Sequence, residues 1–121
     1  MTDDELLARA DAAAERAYAP YSKFHVGAAV LSRDGRVLEG VNVENAAYPL
    51  GTCAERTALS RAVTEGLSPG ELEAIAITAS PCGGCRQWLR EFGLDRVIFR
   101  KAGGEVVTRT PDELLPESFD L

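Results

Sequence analysis

The chain has 121 residues, 45% hydrophobic and 26% charged, and 19 acidic side chains against 13 basic ones give it a net charge of −6. That length suits one domain, residues 1–121, with a core that removes about two thirds of the unfolded surface from water. No apolar run approaches the roughly 20 residues of a membrane span, and no cluster of Lys and Arg is present to displace the counterions of a polynucleotide.

The stretch "MTDDELLARADAAAERA" is acidic and amphipathic. A secretory signal has a basic start and an apolar centre, so the expected compartment is the cytoplasm. The same stretch predicts a first helix from Asp3 to Ala17. Thr2 followed by Glu5 fits a capping box, and Leu6, Ala10, Ala13 and Ala17 recur at helical spacing. Pro20 then breaks the helix. "FHVGAAVLS" and "RVLEGVNVEN" flank Asp34 and Gly35 and read as a hairpin. Residues 26–31 are apolar on both faces, which predicts a central strand. In the second strand, alternation sets Leu38, Asn42 and Glu44 on one face.

A second helix is predicted from Cys53 to Thr64, with Gly66 as its C-cap. "EAIAITA" reads as a short buried strand, "GGCRQWLREF" as a third helix ended by Gly93, and "RVIFR" and "EVVTR" as two further strands. The link between those last strands is too short for a parallel crossover, so they are expected to be antiparallel. "PDELLPES" reads as a terminal helix with Pro111 in its first turn. The order predicts an α/β fold, one mixed five-stranded sheet covered by helices on both faces as a three-layer α-β-α sandwich.

All three cysteines lie in "TCAERTAL" and "SPCGGCRQ". An odd count in a reducing compartment argues against a disulfide framework. A free Cys is ordinarily a small core hydrophobe, which is a poor account of C-x-x-C beside Pro and Gly. Cys53 and Cys85 are expected in the first turns of two helices, with Cys82 just before one, where the helix dipole favours thiolate. Two such helix starts meeting near a sheet edge would make a soft site suited to Zn²⁺, one per chain. Three ligands leave the fourth tetrahedral position open, the mark of a catalytic zinc. Glu55, two residues beyond Cys53, is placed to move a proton beside such a metal. Arg56 is placed to withdraw charge from the thiolates, although either residue could also be an ordinary helix or surface charge.

C-A-E at 53–55 followed by P-C-G-G-C at 81–85 matches the signature of the zinc nucleobase deaminases. Together with "AYAPYSKFHVGAAV", "GVNVENAAYPLGTCAERTAL" and "ELLPESF", nearly the whole chain resembles the small homotetrameric cytidine deaminases of free-nucleoside salvage. The resemblance implies hydrolysis of cytidine and deoxycytidine to the uridine products with release of ammonia. It implies zinc on Cys53, Cys82 and Cys85, and Glu55 as proton shuttle. It further implies Asn42 and Glu44 on the ribose 3′-hydroxyl, Phe24 against the pyrimidine, Ala54 as a backbone contact to the base, and Arg56 on the thiolates. Phe119 would reach a neighbouring subunit's site. Rival readings are a deaminase of another cytosine-bearing compound such as blasticidin S, a polynucleotide deaminase, and a non-catalytic module whose structural zinc takes His25 as fourth ligand.

Overall fold

The structure is a computed structural model, and it describes residues 1–120; Leu121, the last residue of the expected domain, lies outside the described residues. The elements in chain order are α1 (Asp3–Ala14), β1 (Gly27–Ser32), β2 (Val37–Val41), α2 (Ala54–Thr64), β3 (Leu72–Ile77), α3 (Gly83–Phe92), β4 (Arg96–Arg100), β5 (Val106–Arg109) and α4 (Pro111–Leu114). One five-stranded sheet runs in the order β2-β1-β3-β4-β5. The β3–β4 pair is parallel and the other pairs are antiparallel. The predicted mixed sheet and the antiparallel final pair are both present, and β1 is an interior strand buried along its whole length.

Alternation along the strands divides the core into two layers. Ala29, Leu31, Ala74, Ala76 and Ile98 meet Leu6, Leu7 and Ala10 of α1. Ala28, Val30, Ile75, Ile77, Val97 and Phe99 face the other way, toward Ala58, Leu59 and Ala62 of α2 and Leu89 of α3. Both cysteine-bearing helices therefore lie on one face, opposite α1. Small residues set the spacing. A Cβ on Gly27 would lie 2.0 Å from the Ala10 carbonyl oxygen, and one on Gly40 would lie 2.3 Å from the Ala58 nitrogen. Neither neighbour is a flexible side-chain end, so α1 and α2 pack at distances only glycine permits. Arg96 ties the start of α1 to the sheet through Asp3 at 2.8 Å and Glu73 at 3.1 Å.

Several boundaries differ from expectation: β1 begins at Gly27 rather than Phe24, and β2 ends at Val41, short of Asn42 and Glu44. Helix α1 ends at Ala14 rather than Ala17, because the chain turns to pair with the segment after β2. Tyr18 donates its N–H to the Asn42 carbonyl, and Glu44 donates to the Tyr18 carbonyl. Helix α2 starts at Ala54, with Cys53 as its extended N-cap rather than a first-turn residue. Helix α4 stops at Leu114, where Leu115 is kept out of helical geometry by Pro116. The capping boxes at Thr2 and Thr110 are both formed.

Because Gly27 touches helix backbone, Gly27→Ala should cost at least about 1–3 kcal/mol of folding free energy through overpacking. Gly103, which has open space where a Cβ would go, should accept Ala within about 0.5 kcal/mol. Urea unfolding of both variants measures this, and equal stabilities would refute the close-approach argument.

Candidate active site

Cys53 caps α2 and Cys82 caps α3, both in extended backbone geometry, and Cys85 sits within the first turn of α3. The two helices start beside each other, which brings the Cys53 and Cys82 sulfurs to 3.9 Å. All three sulfurs lie within 4.8 Å of one another. Tetrahedral zinc with Zn–S bonds of about 2.3 Å requires S···S separations of about 3.8 Å, so the three donors fit that ion in number, softness and spacing. Among the described residues this is the one such cluster of His, Cys, Asp and Glu ligand atoms, and His25 is not part of it.

The site has a marked asymmetry of charge. The Cys53 thiol is brought down to about 5 by a hydrogen bond with Cys85 and by the Arg56 guanidinium. Arg56 Nη2 donates to the Cys53 sulfur at 3.4 Å. Cys85 is pushed up by the same hydrogen bond with Cys53 and by burial, with the charge of Glu55 adding to both. The two sulfurs thus sit in opposite environments, one favouring thiolate and the other opposing a second charge beside it. Glu55 is 4% exposed, and burial, reinforced by the charge on Cys53, raises its carboxyl above the usual range. The sign suits a group that must hold a proton near neutrality.

These groups open onto a cavity of about 560 Å³ whose lining includes Phe24, Asn42, Glu44, Cys53, Ala54, Glu55, Arg56 and Cys82. Thus all but two of the residues singled out from sequence share one cavity. Cys85 is buried beneath it, close to the other two sulfurs. Phe119 does not line it and is 68% exposed. Asn42 and Glu44 lie just past the end of β2, and both turn toward the segment before β1. Asn42 Oδ1 accepts the Val26 N–H at 2.8 Å, and its Nδ2 donates to the Phe24 carbonyl at 2.8 Å. Glu44 Oε1 accepts the N–H groups of Tyr21 and Ser22, and these hold its carboxyl below the ordinary value together with the Ser22 hydroxyl, the largest cause.

Sequence reasoning passed over four other contributors. Tyr21, Ser22 and Tyr48 also line the cavity, and "PYS" before Phe24 was the available signal. Arg86, directly after Cys85, was the other. Its Nε donates to the Pro81 carbonyl at 2.9 Å and its Nη1 to the Leu114 carbonyl at 3.1 Å, so it braces the loop that carries Cys82 against α4.

A family model described as the cytidine and deoxycytidylate deaminase zinc-binding region matches residues 1–101. The chain belongs to this family. It is 42% identical to a cytidine deaminase of Sporosarcina psychrophila over 98% of this chain and 92% of the relative. It is 44% identical to one from Halalkalibacterium halodurans over 98% of this chain and 95% of the relative. Among solved structures, the cytidine deaminase from Burkholderia pseudomallei matches with a TM-score of 0.92 and 46% identity, covering 98% of this chain and 100% of that one. The dCMP deaminase of the cyanophage S-TIM5, at 20% identity and a TM-score of 0.68 over 84% of this chain and 86% of that one, shares the fold. The cysteine cluster thus fits the zinc site of a chain in this zinc-binding family.

Loading a metal onto thiols releases their protons. Cys85 has a raised pKa, so its proton is held more firmly than that of an ordinary thiol, and acid favours the protonated, metal-free form. Apparent zinc affinity should therefore fall as pH falls, about tenfold per unit for each proton displaced. Zinc content after dialysis at a series of pH values tests this, and an affinity flat across the series would contradict it.

Proposed function

We propose that this chain catalyses hydrolytic deamination of cytidine and deoxycytidine, converting the 4-amino group to a carbonyl and releasing ammonia. The observation that carries the reading is a buried carboxylate, Glu55, beside three clustered sulfurs in a cavity large enough for a nucleoside. Cys53, Cys82 and Cys85 would hold the zinc. When bound, zinc supplies Lewis acidity that brings the pKa of water down toward neutrality.

Glu55 takes a proton from the water that attacks C4 and delivers it to N3 of the ring. It then takes the proton of the hydroxyl now on C4 and passes it to the 4-amino nitrogen, the C4–N bond breaks, and ammonia leaves as the oxygen becomes the C4 carbonyl. Burial shifts the Glu55 carboxyl toward the protonated form, which favours the proton-donating half of this cycle. Arg56 offsets the negative charge of the sulfur cluster. Phe24 packs against the base, the backbone at Ala54 contacts the base edge, and Asn42 and Glu44 take a sugar hydroxyl. Holding the ring in this way supplies several kcal/mol of the barrier reduction.

The substrate is a free nucleoside. The one basic side chain lining the cavity, Arg56, is engaged with Cys53, so among the described residues no cation is left there for a phosphate, and the Glu44 carboxylate would repel one. No helix of the structure is long and apolar enough to cross a membrane. The chain is one domain over residues 1–121, acts in the cytoplasm and assembles as a homotetramer. Exposed Tyr48, Leu50, Phe24 and Phe119 support assembly, with Phe119 reaching the site of a neighbouring copy. Sedimentation at native concentration reads the assembly state, and a monomer would reject that part.

Glu55→Gln should retain zinc and the folded state while kcat on cytidine falls by at least about a thousandfold, a full loss of proton transfer. Loss of ultraviolet absorbance on conversion to uridine is the assay. Near-normal turnover by that variant would exclude Glu55 as the shuttle.

A further inference from the structure

We infer that Ser22 is a positioning residue for sugar recognition, fixing the Glu44 carboxylate and, through the same oxygen, the backbone that carries Phe24. The inference rests on the reading above, in which Glu44 and Asn42 take a sugar hydroxyl and Phe24 packs against the base.

The hydrogen-bond count around Glu44 supports it. An ionised carboxylate has about four acceptor positions. Glu44 Oε1 receives the Tyr21 N–H at 3.0 Å and the Ser22 N–H at 3.1 Å. Its Oε2 receives the Ser22 hydroxyl in a short contact. One acceptor position on Oε2 is left. Asn42 is engaged in the same way, with Oδ1 on the Val26 N–H and one amide hydrogen on the Phe24 carbonyl, so one amide hydrogen is left. The spare acceptor on Glu44 and the spare donor on Asn42, both on the cavity wall, match a hydroxyl, which donates one hydrogen bond and accepts another.

Ser22 is the part of this arrangement that joins sugar to base. Its Oγ donates to Glu44 and accepts the Phe24 N–H at 3.0 Å. Between them Lys23 adopts φ +62°, the left-handed region that non-glycine residues seldom enter. The Lys23 N–H closes onto the Ala19 carbonyl at 3.0 Å. Without the Ser22 hydroxyl, Glu44 Oε2 loses the donor that orients it, and the turn loses the bond that spans its strained residue. The two Oε1 bonds alone leave the carboxylate free to swing its second oxygen.

The test compares kcat/KM for cytidine and for 2′,3′-dideoxycytidine, which lacks the 3′-hydroxyl expected on Glu44 and Asn42 and keeps only the 5′-hydroxyl. Ser22→Ala should lower the cytidine value by about tenfold to a hundredfold, the effect of a hydrogen bond to a charged group. The dideoxycytidine value should fall by much less, since it reads only the Phe24 part of the role, so the ratio of the two drops. Ser22→Thr, which keeps the hydroxyl, should hold the ratio near that of the parent. Should Ser22→Ala fail to fold, Ser22→Cys keeps the volume, loses the strong donor and should give the same drop. A cycle of Ser22→Ala and Glu44→Gln on cytidine should be strongly non-additive, because the two changes remove one interaction. Equal losses on both substrates, or an additive cycle, would overturn the role. An unmodified chain inert toward cytidine would instead overturn the functional reading, and this inference with it.

Discussion

Where α2 and α3 begin governs the chemistry available to this chain. Two of the three sulfurs belong to N-cap residues, and the third lies one turn into the same helix as the second. A cap residue has its backbone fixed by the helix that follows, since its carbonyl already accepts the first helical bonds. Cys53 accepts from Thr57 and Cys82 from Arg86. The 3.9 Å between their sulfurs thus reflects two helices packed side by side on one sheet face. Gly40 sets how closely α2 sits, and the parallel β3–β4 pair fixes the crossover that contains α3. Helix packing in this way brings the ligand set together, and metal binding would add to fold stability.

Clustering sulfurs creates an electrostatic problem that the neighbouring residues moderate. A thiolate at Cys53 is stabilised by Cys85 and by Arg56, while a second charge on Cys85 is opposed by burial and by the first. Glu55 is buried against this negative centre, and both effects favour its protonated form. Glu44, at the other side of the cavity, has the opposite environment. Backbone and hydroxyl donors surround it, and it stays ionised. Two carboxylates in one cavity thereby acquire different working states from local surroundings alone, one suited to carrying protons and one to accepting hydrogen bonds.

Much of this was legible in the sequence, for identifiable reasons. The sheet and helices follow from periodicity, and the short "KAGG" link forced the last pair of strands to be antiparallel, as observed. C-A-E and P-C-G-G-C are local patterns whose spacing is set by one helix turn, so the metal cluster could be assembled on paper. The errors lie where tertiary contacts override local preference. Glu15–Ala17 have helical character, but the chain leaves the helix because Tyr18 pairs beside Asn42. Ser22 and Arg86 were missed for a related reason. Each acts on a partner distant in sequence, Glu44 in one case and Leu114 in the other, and no periodicity encodes such a contact. Phe119 was read from resemblance, and it stands apart from the cavity of its own chain.

The bracing by Arg86 imposes an order of events on heating. Its guanidinium spans the Pro81 and Leu114 carbonyls, and α4 is a single four-residue turn, the kind of element that frays before the core melts. Once α4 detaches, the loop bearing Cys82 loses one of its restraints while β1 and β3 remain paired. The geometry of the sulfur cluster thus leans on a short surface turn as well as on the packed core.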